Sequence, residues 1–378
     1  MAKLVRKIGA LAGAVIAISL LGAAHAGAQD DSASARYTVV PVAEGLDHPW
    51  SLTFMPDGSM LIVELSGHIR VMRDGSLAEE PVAGVPEVYF ESQGGLFDVV
   101  LDPDFADNSL VYLSYAHGTP DSNWTRVARA RFDGEALTDL TVIFDATPAK
   151  DTPVHYGGRI AFLPDETMLV TVGDGFDYRE EAQNLGSHLG KIVRIDRDGN
   201  APADNPFVGR EGALPEIWSY GHRNQQGLVH DAASGLVYEH EHGAQGGDEI
   251  NVIEPGKNYG WPVITRGIDY SGARISPFTE YEGMEQAIVD WTPSIAPAGM
   301  TIYRGDAFPD WQGDIFAGAL AAQNVHRVKM ENGEPAGEEV LFAELGKRIR
   351  DVRSGPDGFL YLVTDGEGGS VLRVTPAP

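Results

Sequence analysis

Apolar and polar positions alternate over short runs along this chain, and turn residues separate the runs. The stretch "WSLTFMPDGSMLIVELSGHIRVMRDG", which begins at Trp50, contains three such runs divided by P-D-G, S-G and D-G turns. Alternation with a period of two predicts strands, and Pro, Gly and Asp between runs predict tight turns. The sequence therefore predicts an all-β protein.

The same phrase recurs along the chain, each time around a Pro-Asp pair. These pairs begin at Pro56, Pro103, Pro164, Pro309 and Pro356. A four-stranded unit repeated at roughly 40 to 60 residues is typical of a β-propeller. We expect six blades, with seven as the alternative, in one domain over residues 37–376. The gap from Pro164 to Pro309 leaves room for two or more further units, and longer loops are predicted between about 178 and 282.

The N-terminal residues have the pattern of an export signal. "MAKLVRK" is basic, "IGALAGAVIAISLLGAA" is apolar, and small residues follow. This order is that of a secretory signal peptide, predicted here for residues 1–26, with a flexible lead over residues 27–36. We therefore expect an exported protein located in a bacterial periplasm, with no membrane insertion after signal cleavage.

Composition narrows the classes of partner and site. The chain has no cysteine, which excludes disulfides and thiolate metal sites. Its formal charge is −27, and cleavage of the signal would remove three further positive charges. Such an acidic protein is not expected to bind nucleic acid or anionic membranes. It does offer many oxygen ligands for a hard cation.

A histidine stands before a predicted hairpin in "PVHYGGRIAFLPDETMLVTVGDG". His155 precedes the first strand, and Asp174 ends the second. An imidazole oriented by a carboxylate is a suitable general base near pH 7. The alternative is a histidine that is hydrogen-bonded in the core without a catalytic role.

Three further segments carry polar groups suited to an anionic ligand. In "SYGHRNQQGL", Arg223 and Asn224 are adjacent donors, although a surface turn is the alternative. Gln93 precedes a glycine pair at the lip of a loop. In "GKRIRDVRSG", Arg348 and Arg350 point to one face of a strand, where solvent or an anionic ligand must offset their repulsion.

The segment "YEHEHGAQGGDEINVIEPGKNYGWP" is suited to Ca²⁺ rather than zinc. Small residues from Gly243 to Gly247 allow backbone carbonyls to approach a ligand closely, and Asp248 and Glu249 follow. Oxygen ligands of this kind are those that Ca²⁺ prefers. The "HEH" at 240–242 lacks an evident third ligand and is interpreted as solvated strand residues.

Six phrases in order resemble one known family, the soluble pyrroloquinoline-quinone-dependent glucose/sorbosone or aldose sugar dehydrogenases. The phrases are "QGGLFDVVLDPDF", "HYGGRIAF", "NLGSHLGKIVRIDRDGNAPADNPF", "SYGHRNQQGL", "GGDEINVIEPGKNYGWP" and "RIRDVRSGPDG". The resemblance runs from about Gly45 to Val374. It implies a six-bladed propeller with pyrroloquinoline quinone (PQQ) at one end of the channel.

The resemblance also implies roles for individual residues. His155 matches the family's general base, and Asp174 matches the carboxylate that orients it. Arg223 matches a residue that acts in catalysis and also holds the quinone. The other implied quinone-binding residues are Gln93, Asn224, Arg348 and Arg350, beside His155 itself. The carbonyls of Gly243 and Ala244 match ligands of a quinone-bound Ca²⁺, while Glu249, the carbonyl of Tyr259 and Asp269 match a second, structural Ca²⁺ site.

Two departures from the family pattern bear on substrate and cofactor. Val154 stands where glucose-oxidising members carry an aspartate, which places this chain nearer the broader aldose group. Ala321 replaces a lysine that grips the cofactor in some members, and Arg327 is the candidate to compensate for it.

The expected activity is oxidation of aldose sugars to lactones, with a periplasmic cytochrome or quinone as electron acceptor. A calcium-dependent propeller lactonase is one alternative, but it needs no quinone-binding arginines. A non-catalytic sugar-binding propeller is another, for which Trp261, Trp291 and Trp311 are the candidate aromatic platforms.

Overall fold

The computed structural model describes residues 36–378, and this part of the chain consists almost wholly of strands. The strands form six four-stranded antiparallel sheets arranged as the blades of a propeller. The predicted six-bladed propeller is confirmed, and the seven-bladed alternative is wrong. The predicted signal peptide and residues 27–35 of the predicted lead lie outside the described residues.

The chain enters the propeller through a strand that belongs to the last blade and then builds the blades in order. The first strand is β1 (Tyr37–Asp47). Blade 1 consists of β2 (Pro49–Phe54), β3 (Met60–Glu64), β4 (His68–Arg73) and β5 (Ser76–Leu77). Blade 2 consists of β6 (Leu96–Leu101), β7 (Leu110–Thr119), β8 (Ser122–Phe132) and β9 (Leu137–Asp145). Blade 3 consists of β10 (Ile160–Phe162), β11 (Met168–Val172), β12 (Lys191–Ile195) and β13 (Ile217–Tyr220).

The second half repeats this arrangement. Blade 4 consists of β14 (Gln225–His230), β15 (Val237–Glu241), β16 (Asp248–Val252) and β17 (Val289–Trp291). Blade 5 consists of β18 (Pro297–Ile302), β19 (Ile315–Ala319), β20 (Asn324–Glu331) and β21 (Glu334–Leu341). Blade 6 consists of β22 (Ile349–Ser354), β23 (Leu360–Thr364), β24 (Glu367–Pro376) and β1. Within residues 36–378, helical structure is limited to α1 (Phe105–Asn108) and three 3₁₀ turns, at Arg179–Gln183, Pro309–Trp311 and Ala343–Leu345.

Pairing between the two ends of the described chain closes the ring. Strand β1 pairs antiparallel with β24, from Tyr37 opposite Pro376 to Asp47 opposite Glu367. Because β1 is the outer strand of blade 6, blade 6 is completed only when both ends of the propeller meet. Closure leaves short, protected sheet edges, as is usual in propellers.

Each Pro-Asp pair marks the turn between the inner strand and the second strand of a blade. In blade 1, Gly58 adopts a φ of +83°, and its N–H donates to the carbonyl of Met55 at 2.9 Å. Blade 4 lacks the pair and turns instead at Asp231. The gap from Pro164 to Pro309 therefore contains one unmarked unit rather than two or more, because long loops lengthen blades 3 and 4.

Apolar side chains of adjacent blades pack face to face and form the core. One cluster joins Leu61 and Val63 of β3 to Val111 and Leu113 of β7, all of them buried. Burial of apolar side chains between adjacent blades stabilises the propeller. Within residues 36–378, no helix has the length and apolar character needed to cross a membrane.

Candidate active site

The start of every inner strand lies at the same end of the channel, opposite the Pro-Asp turns. A cavity of about 930 Å³, which includes its open mouth, lies at this end, and we call it the central cavity. Each blade contributes to its lining a residue from just before its inner strand. These residues are His48, Gln93, Gly157, Asn224, Ala296 and Arg348.

His155 and Asp174 form a buried hydrogen-bonded pair beside this cavity. Nδ1 of His155 lies 2.7 Å from Oδ1 of Asp174, and both side chains are almost fully buried. The N–H of His155 donates to Oε1 of Gln93 at 2.8 Å. His155 has a φ of +53°, which is uncommon for a residue other than glycine. Such local strain clusters at functional sites, and here it accompanies the predicted base.

The carboxylate of Asp174 is held from both sides. Its Oδ2 accepts the indole N–H of Trp261 at 2.7 Å, and its Oδ1 also accepts the N–H of Phe176 at 2.8 Å. An ionised carboxylate in this position requires the proton of the imidazole to reside on Nδ1. Nε2 of His155 is then left as the acceptor, which is the state a base requires.

Burial and charge favour a neutral imidazole beside an ionised carboxylate. Burial lowers the pKa of His155, although the charge of Asp174 opposes this shift. Burial pushes the pKa of Asp174 upward. Its contact with His155, together with Arg223 and the Phe176 N–H, outweighs that effect and holds the pKa below its usual value. The pair is therefore set to accept a proton at Nε2 near neutral pH.

The two glycines after His155 allow close packing around the base. A Cβ on Gly157 would lie 2.7 Å from the carbonyl oxygen of Thr171, and one on Gly158 would lie 2.6 Å from the ring of Phe97. Gly157 lines the central cavity, whereas Gly158 is required for packing against Phe97.

Arg223 is buried behind the pair, so the surface-turn alternative is wrong. Its guanidinium lies 5.2 Å from the ring centre of Trp261. Its Nη1 donates to the carbonyl oxygens of His242 at 3.1 Å and of Gly243 at 2.8 Å. Its backbone N–H donates to the carboxylate of Glu241. The side chain is thus fixed by backbone carbonyls and an indole ring of blade 4.

Four of the six predicted quinone-binding residues, Gln93, Asn224, Arg348 and Arg350, line the central cavity, and His155 lies beside it. Arg223 lines two other cavities instead. Asp365, which the sequence analysis missed, pairs with both arginines, at 2.8 Å from Nε of Arg348 and 2.9 Å from Nε of Arg350. One carboxylate thus faces two guanidiniums and leaves this wall of the cavity net positive. The arginines lie at a ligand-sized cavity rather than on an open strand face.

Three predicted metal ligands, Gly243, Glu249 and Tyr259, line a second cavity with Glu241 and Asp290. We call it the acidic cavity. Glu241 lies directly opposite Glu249 in the β15–β16 pair, and Asp290 lies opposite Glu249 on β17. Like charges opposite one another destabilise a sheet. Burial raises the pKa of Glu249 and of Glu241 to about 8, and it also raises that of Asp290.

The "HEH" residues belong to this buried region, so their interpretation as solvated strand residues is wrong. His240 and Glu241 are buried, and His242 is half-buried. Nε2 of His242 contacts the carbonyl oxygen of Pro297 at 2.7 Å. Alternation predicts an exposed face only where one side of a sheet meets water, and here both faces of β15 pack against other parts of the protein.

The structure places the remaining two predicted metal ligands elsewhere. Ala244 and Asp269 line a third cavity, of about 530 Å³, together with Phe176, Arg179 and Tyr270; we call it the aromatic cavity. Asp269 contacts Nη1 of Arg179 at 3.3 Å. Asp269 is therefore not brought to the cavity of Glu249, and its assignment as a Ca²⁺ ligand stays a prediction.

Asp365 and Trp261 are site residues that sequence reasoning missed or assigned differently. A signal for Asp365 existed: it follows β23 as Asp174 follows β11, in the matching phrases "YLVTD" and "VTVGD". Trp261 gave no such signal, because its contact with Asp174 spans 87 positions. It lies in the long loop 253–288, which returns beside β13 through a bridge between Tyr220 and Asn258.

Two other expectations are corrected by burial and pairing. Trp291 and Trp311 lie in the cores of blades 4, 5 and 6, and Trp261 is buried against Asp174, so none is an exposed sugar platform. Arg327 pairs with Asp314 at 2.6 Å and Glu339 at 2.8 Å within blade 5. It does not line the central cavity and does not replace the lysine absent at Ala321.

Comparison with known proteins agrees with this geometry. The sequence profile described as Glucose / Sorbosone dehydrogenase matches residues 46–373. Aldose sugar dehydrogenase YliI of Escherichia coli is 41% identical over 352 residues, which are 91% of this chain and 94% of that protein. The crystal structure of the soluble aldose sugar dehydrogenase of E. coli in its apo form superposes with a TM-score of 0.87 at 40% identity and covers 90% of this chain and 99% of that one.

A PQQ-bound structure is also among the similar proteins. Aldose sugar dehydrogenase of Streptomyces coelicolor in its PQQ-bound form has a TM-score of 0.74 at 27% identity and covers 90% of this chain and 99% of that one. The matched region contains every inner strand and every residue of the His155 site. The chain belongs to the glucose/sorbosone dehydrogenase family.

Proposed function

We propose that this protein is a periplasmic quinoprotein that oxidises aldose sugars at the anomeric carbon to lactones, with PQQ as hydride acceptor. One observation carries the proposal. The Asp174-held imidazole of His155 lies at the edge of a cavity lined by Gln93, Asn224, Arg348 and Arg350. The name of the PQQ-bound S. coelicolor relative supports the cofactor.

The residues of the central cavity fit a flat anion that carries carboxylates. Arg348 and Arg350 supply two guanidiniums against the single carboxylate of Asp365. Gln93 and Asn224 supply amide groups on another wall, and Trp50 and Phe97 supply aromatic surface. Guanidiniums are well matched to carboxylates. PQQ has three carboxylates on a planar ring system, so this chain would hold it through these residues.

The donors of the acidic cavity fit Ca²⁺. Glu241, Glu249 and Asp290 bring three carboxylates side by side across β15, β16 and β17. No basic side chain forms an ion pair with Glu249 in the described part of the chain. Arg266 pairs with Asp290 at 3.6 Å, and a divalent cation would offset the remaining repulsion among these carboxylates. Oxygen-only coordination suits Ca²⁺. Gly243 lines the same cavity, and its backbone carbonyl would supply a further oxygen ligand to the cation.

The chain's own groups perform the proton transfer. Nε2 of His155 takes the proton of the anomeric hydroxyl, while Nδ1–H donates to Asp174, whose charge stabilises the imidazolium. When bound, PQQ supplies the electrophilic carbonyl carbon that accepts the hydride. Arg223 provides a fixed positive charge behind the pair and favours the negative charge that develops in the site. Trp261 keeps the carboxylate in place.

Location and acceptor form part of the proposal. The basic, apolar and small-residue order of residues 1–26 supports export to the periplasm. We propose a periplasmic cytochrome or quinone as the electron acceptor.

The test is reconstitution. The mature full chain, with Ca²⁺ present, is titrated with PQQ, and dye reduction is measured with a panel of aldoses. We expect sugar-dependent reduction that is lost with a chelator. His155→Ala should lower turnover about a hundred- to ten-thousandfold while quinone binding persists. Asp174→Asn should also lower turnover.

Two results would overturn the proposal. Near-normal turnover in His155→Ala would remove the base assignment. Failure to bind PQQ at any Ca²⁺ concentration would contradict the proposal that the protein is a quinoprotein. Hydrolysis of lactones by the same preparation would then establish a calcium-dependent lactonase instead. A surface variant such as Arg36→Ala, far from the cavity, serves as the control for handling and stability.

A further inference from the structure

A buried lysine lies behind the segment that carries the base. Lys150 is 2% exposed, and its backbone pairs with that of Asn123 in β8 through two hydrogen bonds of 2.8 and 2.9 Å. Five residues later, His155 adopts its left-handed conformation before β10 begins. The segment 150–156 therefore leads from blade 2 to the inner strand of blade 3, and whatever fixes this segment also fixes the base.

The ammonium group of Lys150 is enclosed by three acceptors. Its Nζ donates to Oδ1 of Asn123 at 2.9 Å and to the carbonyl oxygen of Thr152. It also lies 3.4 Å from the ring centre of Tyr156. An ammonium has three N–H donors and no acceptor, and the face of an aromatic ring attracts a cation. The geometry therefore fits the protonated, charged form of Lys150.

The partners of Lys150 hold the chain on both sides of His155. Thr152 precedes the base by three residues, and Tyr156 follows it directly. The phenolic O–H of Tyr156 donates to the same Oδ1 of Asn123 at 2.6 Å. Lys150 thus joins the two ends of the short stretch that contains the unusual φ of His155. Strain of this kind persists only where the surroundings over-determine the backbone.

The alkyl stem of Lys150 reaches the residue that follows Asp174. A Cβ on Gly175 would lie 2.7 Å from Cδ of Lys150. The hydroxyl of Thr152 donates to the carbonyl oxygen of Gly175 at 2.6 Å. One side chain therefore contacts both the segment of the base and the segment of the carboxylate that orients it.

The charge of Lys150 has no carboxylate in contact with it. Within residues 36–378, its Nζ forms no ion pair, although buried charges are usually paired. The carboxylates that act on it from beyond contact distance are those of Asp174 and Asp151. Asp151 is exposed to solvent, whereas Asp174 is fully buried. The buried counter-charge of Lys150 is therefore the carboxylate that also holds His155.

The charged and titratable groups that act on His155 come from several segments. They are Asp174, which contacts it, and Arg223, Lys150 and His242, which act from greater distances. Burial lowers the pKa of His155, and the charge of Asp174 opposes this shift. The charges of Arg223 and Lys150 lower the pKa further. Burial lowers the pKa of His242 to about 4 and that of Lys150 to about 7, so His242 is neutral and Lys150 is charged where His155 titrates.

We propose that Lys150 is a positioning residue for the base. Its ammonium group holds the segment of His155 in the conformation that directs the imidazole at Asp174, and its charge competes with the imidazolium for that carboxylate. The proposal rests on the proposed function, because it takes His155 as the base. Lys150 lines none of the three cavities and is not placed to touch sugar or quinone.

The direct test is the titration of His155 in the mature full chain with Ca²⁺ and without quinone. It is followed by NMR of labelled histidines, and the signal of His155 is identified by its absence in His155→Gln. Lys150→Met removes the charge and keeps the stem. The midpoint of His155 should then rise by about half a pH unit to one unit, because a like charge no longer opposes the imidazolium. Lys150→Arg keeps the charge and should keep the midpoint.

Asn123→Asp gives a second test that leaves the lysine in place. The new carboxylate replaces the amide oxygen that Nζ contacts, so it offsets the charge while the segment stays held. The midpoint of His155 should rise as in Lys150→Met, without a comparable fall in Tm. Arg327→Met is the matched control for stability, because Arg327 is a buried basic side chain held within blade 5. It should lower Tm and leave the midpoint of His155 unchanged.

Kinetics of the reconstituted enzyme separate the two roles of Lys150. Lys150→Met should lower the plateau of kcat about ten- to a hundredfold, because misplacement of a reacting group is costly, and should move the acid limb of kcat/KM upward. Asn123→Asp should move the limb and keep most of kcat. The affinity for PQQ should change in neither variant.

An unchanged midpoint of His155 in both Lys150→Met and Asn123→Asp would overturn the inference, whatever happens to activity. If such protein still oxidised sugars, the proposed function would stand without it. A midpoint that moves in protein that binds PQQ but oxidises no sugar would support the coupling of Lys150 to His155 and contradict the proposed function alone.

Discussion

The indole N–H of Trp261 donates to Oδ2 of Asp174 at 2.7 Å, while the other carboxylate oxygen of Asp174 holds the imidazole of His155 at the same distance. The long loop of blade 4 therefore reaches across to fix the carboxylate of blade 3. The base therefore depends on Trp261, whose indole nitrogen is bonded to Asp174 and is not available to sugar or quinone.

Trp261→Phe should lower kcat about tenfold, because a hydrogen bond to a charged group contributes roughly 1.5–3 kcal/mol. The freed carboxylate would interact more strongly with the imidazolium, so the apparent pKa of the base should rise. The measurement is the pH profile of kcat/KM. A purely structural role would lower activity or stability without moving the acid limb.

The activity of the wild-type enzyme should fall at acid pH with a midpoint below about 6.5, the ordinary pKa of histidine. The reason is that His155 acts only when neutral, and burial lowers its pKa. Activity is thus retained as pH falls to this midpoint and is lost below it. The check is the pH profile of kcat/KM, which reports the free enzyme. An acid limb centred above pH 7 would contradict this environment for the base.

Calcium and pH should be linked in the stability of the protein. Glu241 and Glu249 titrate near 4.5 when unfolded and at about 8 in the metal-free fold, because burial raises their pKa. The folded state then binds more protons than the unfolded state between these values. The free energy of unfolding of chelated protein should therefore fall as pH rises from about 4.5 to 8.

Added Ca²⁺ should raise the Tm more at pH 8 than at pH 5, since the cation binds ionised carboxylates and must displace protons at the lower pH. Thermal unfolding with chelator and with Ca²⁺ at both values measures this. Glu249→Gln should shrink both the pH dependence and the Ca²⁺ effect. An equal Ca²⁺ effect at both pH values would place the cation elsewhere.

The two arginines of the central cavity should differ in their contribution to quinone binding. Arg350 is 15% exposed and Arg348 is 47% exposed at the side chain. Solvent screens the more exposed charge, so Arg350→Ala should weaken PQQ affinity about tenfold and Arg348→Ala less. Titration of PQQ binding without sugar measures both, with Arg36→Ala as control. If neither variant lowered PQQ affinity, the quinone would bind away from the arginine wall of the central cavity.

The number of blades and the pairing of His155 with Asp174 could be predicted from the sequence because both depend on residues that are close together in the chain. Alternation and turn residues are properties of neighbouring positions, and the two residues lie at the ends of one hairpin. The Pro-Asp phrase likewise marks one hairpin in five of the six blades. Its absence at Asp231 caused the error in the number of units between Pro164 and Pro309.

Tertiary structure alone decided which side chains are buried and which distant groups meet. The contact of Trp261 with Asp174 joins segments on different blades. The carboxylates of Glu241, Glu249 and Asp290 lie side by side because of the register of three strands, two of which are separated by a long loop. Trp291 is buried whereas Tyr270 is exposed, although both are aromatic residues near blade 4. Periodicity along the chain determines strands and turns, but burial, charge pairing and cavity walls arise from packing between blades that no local pattern encodes.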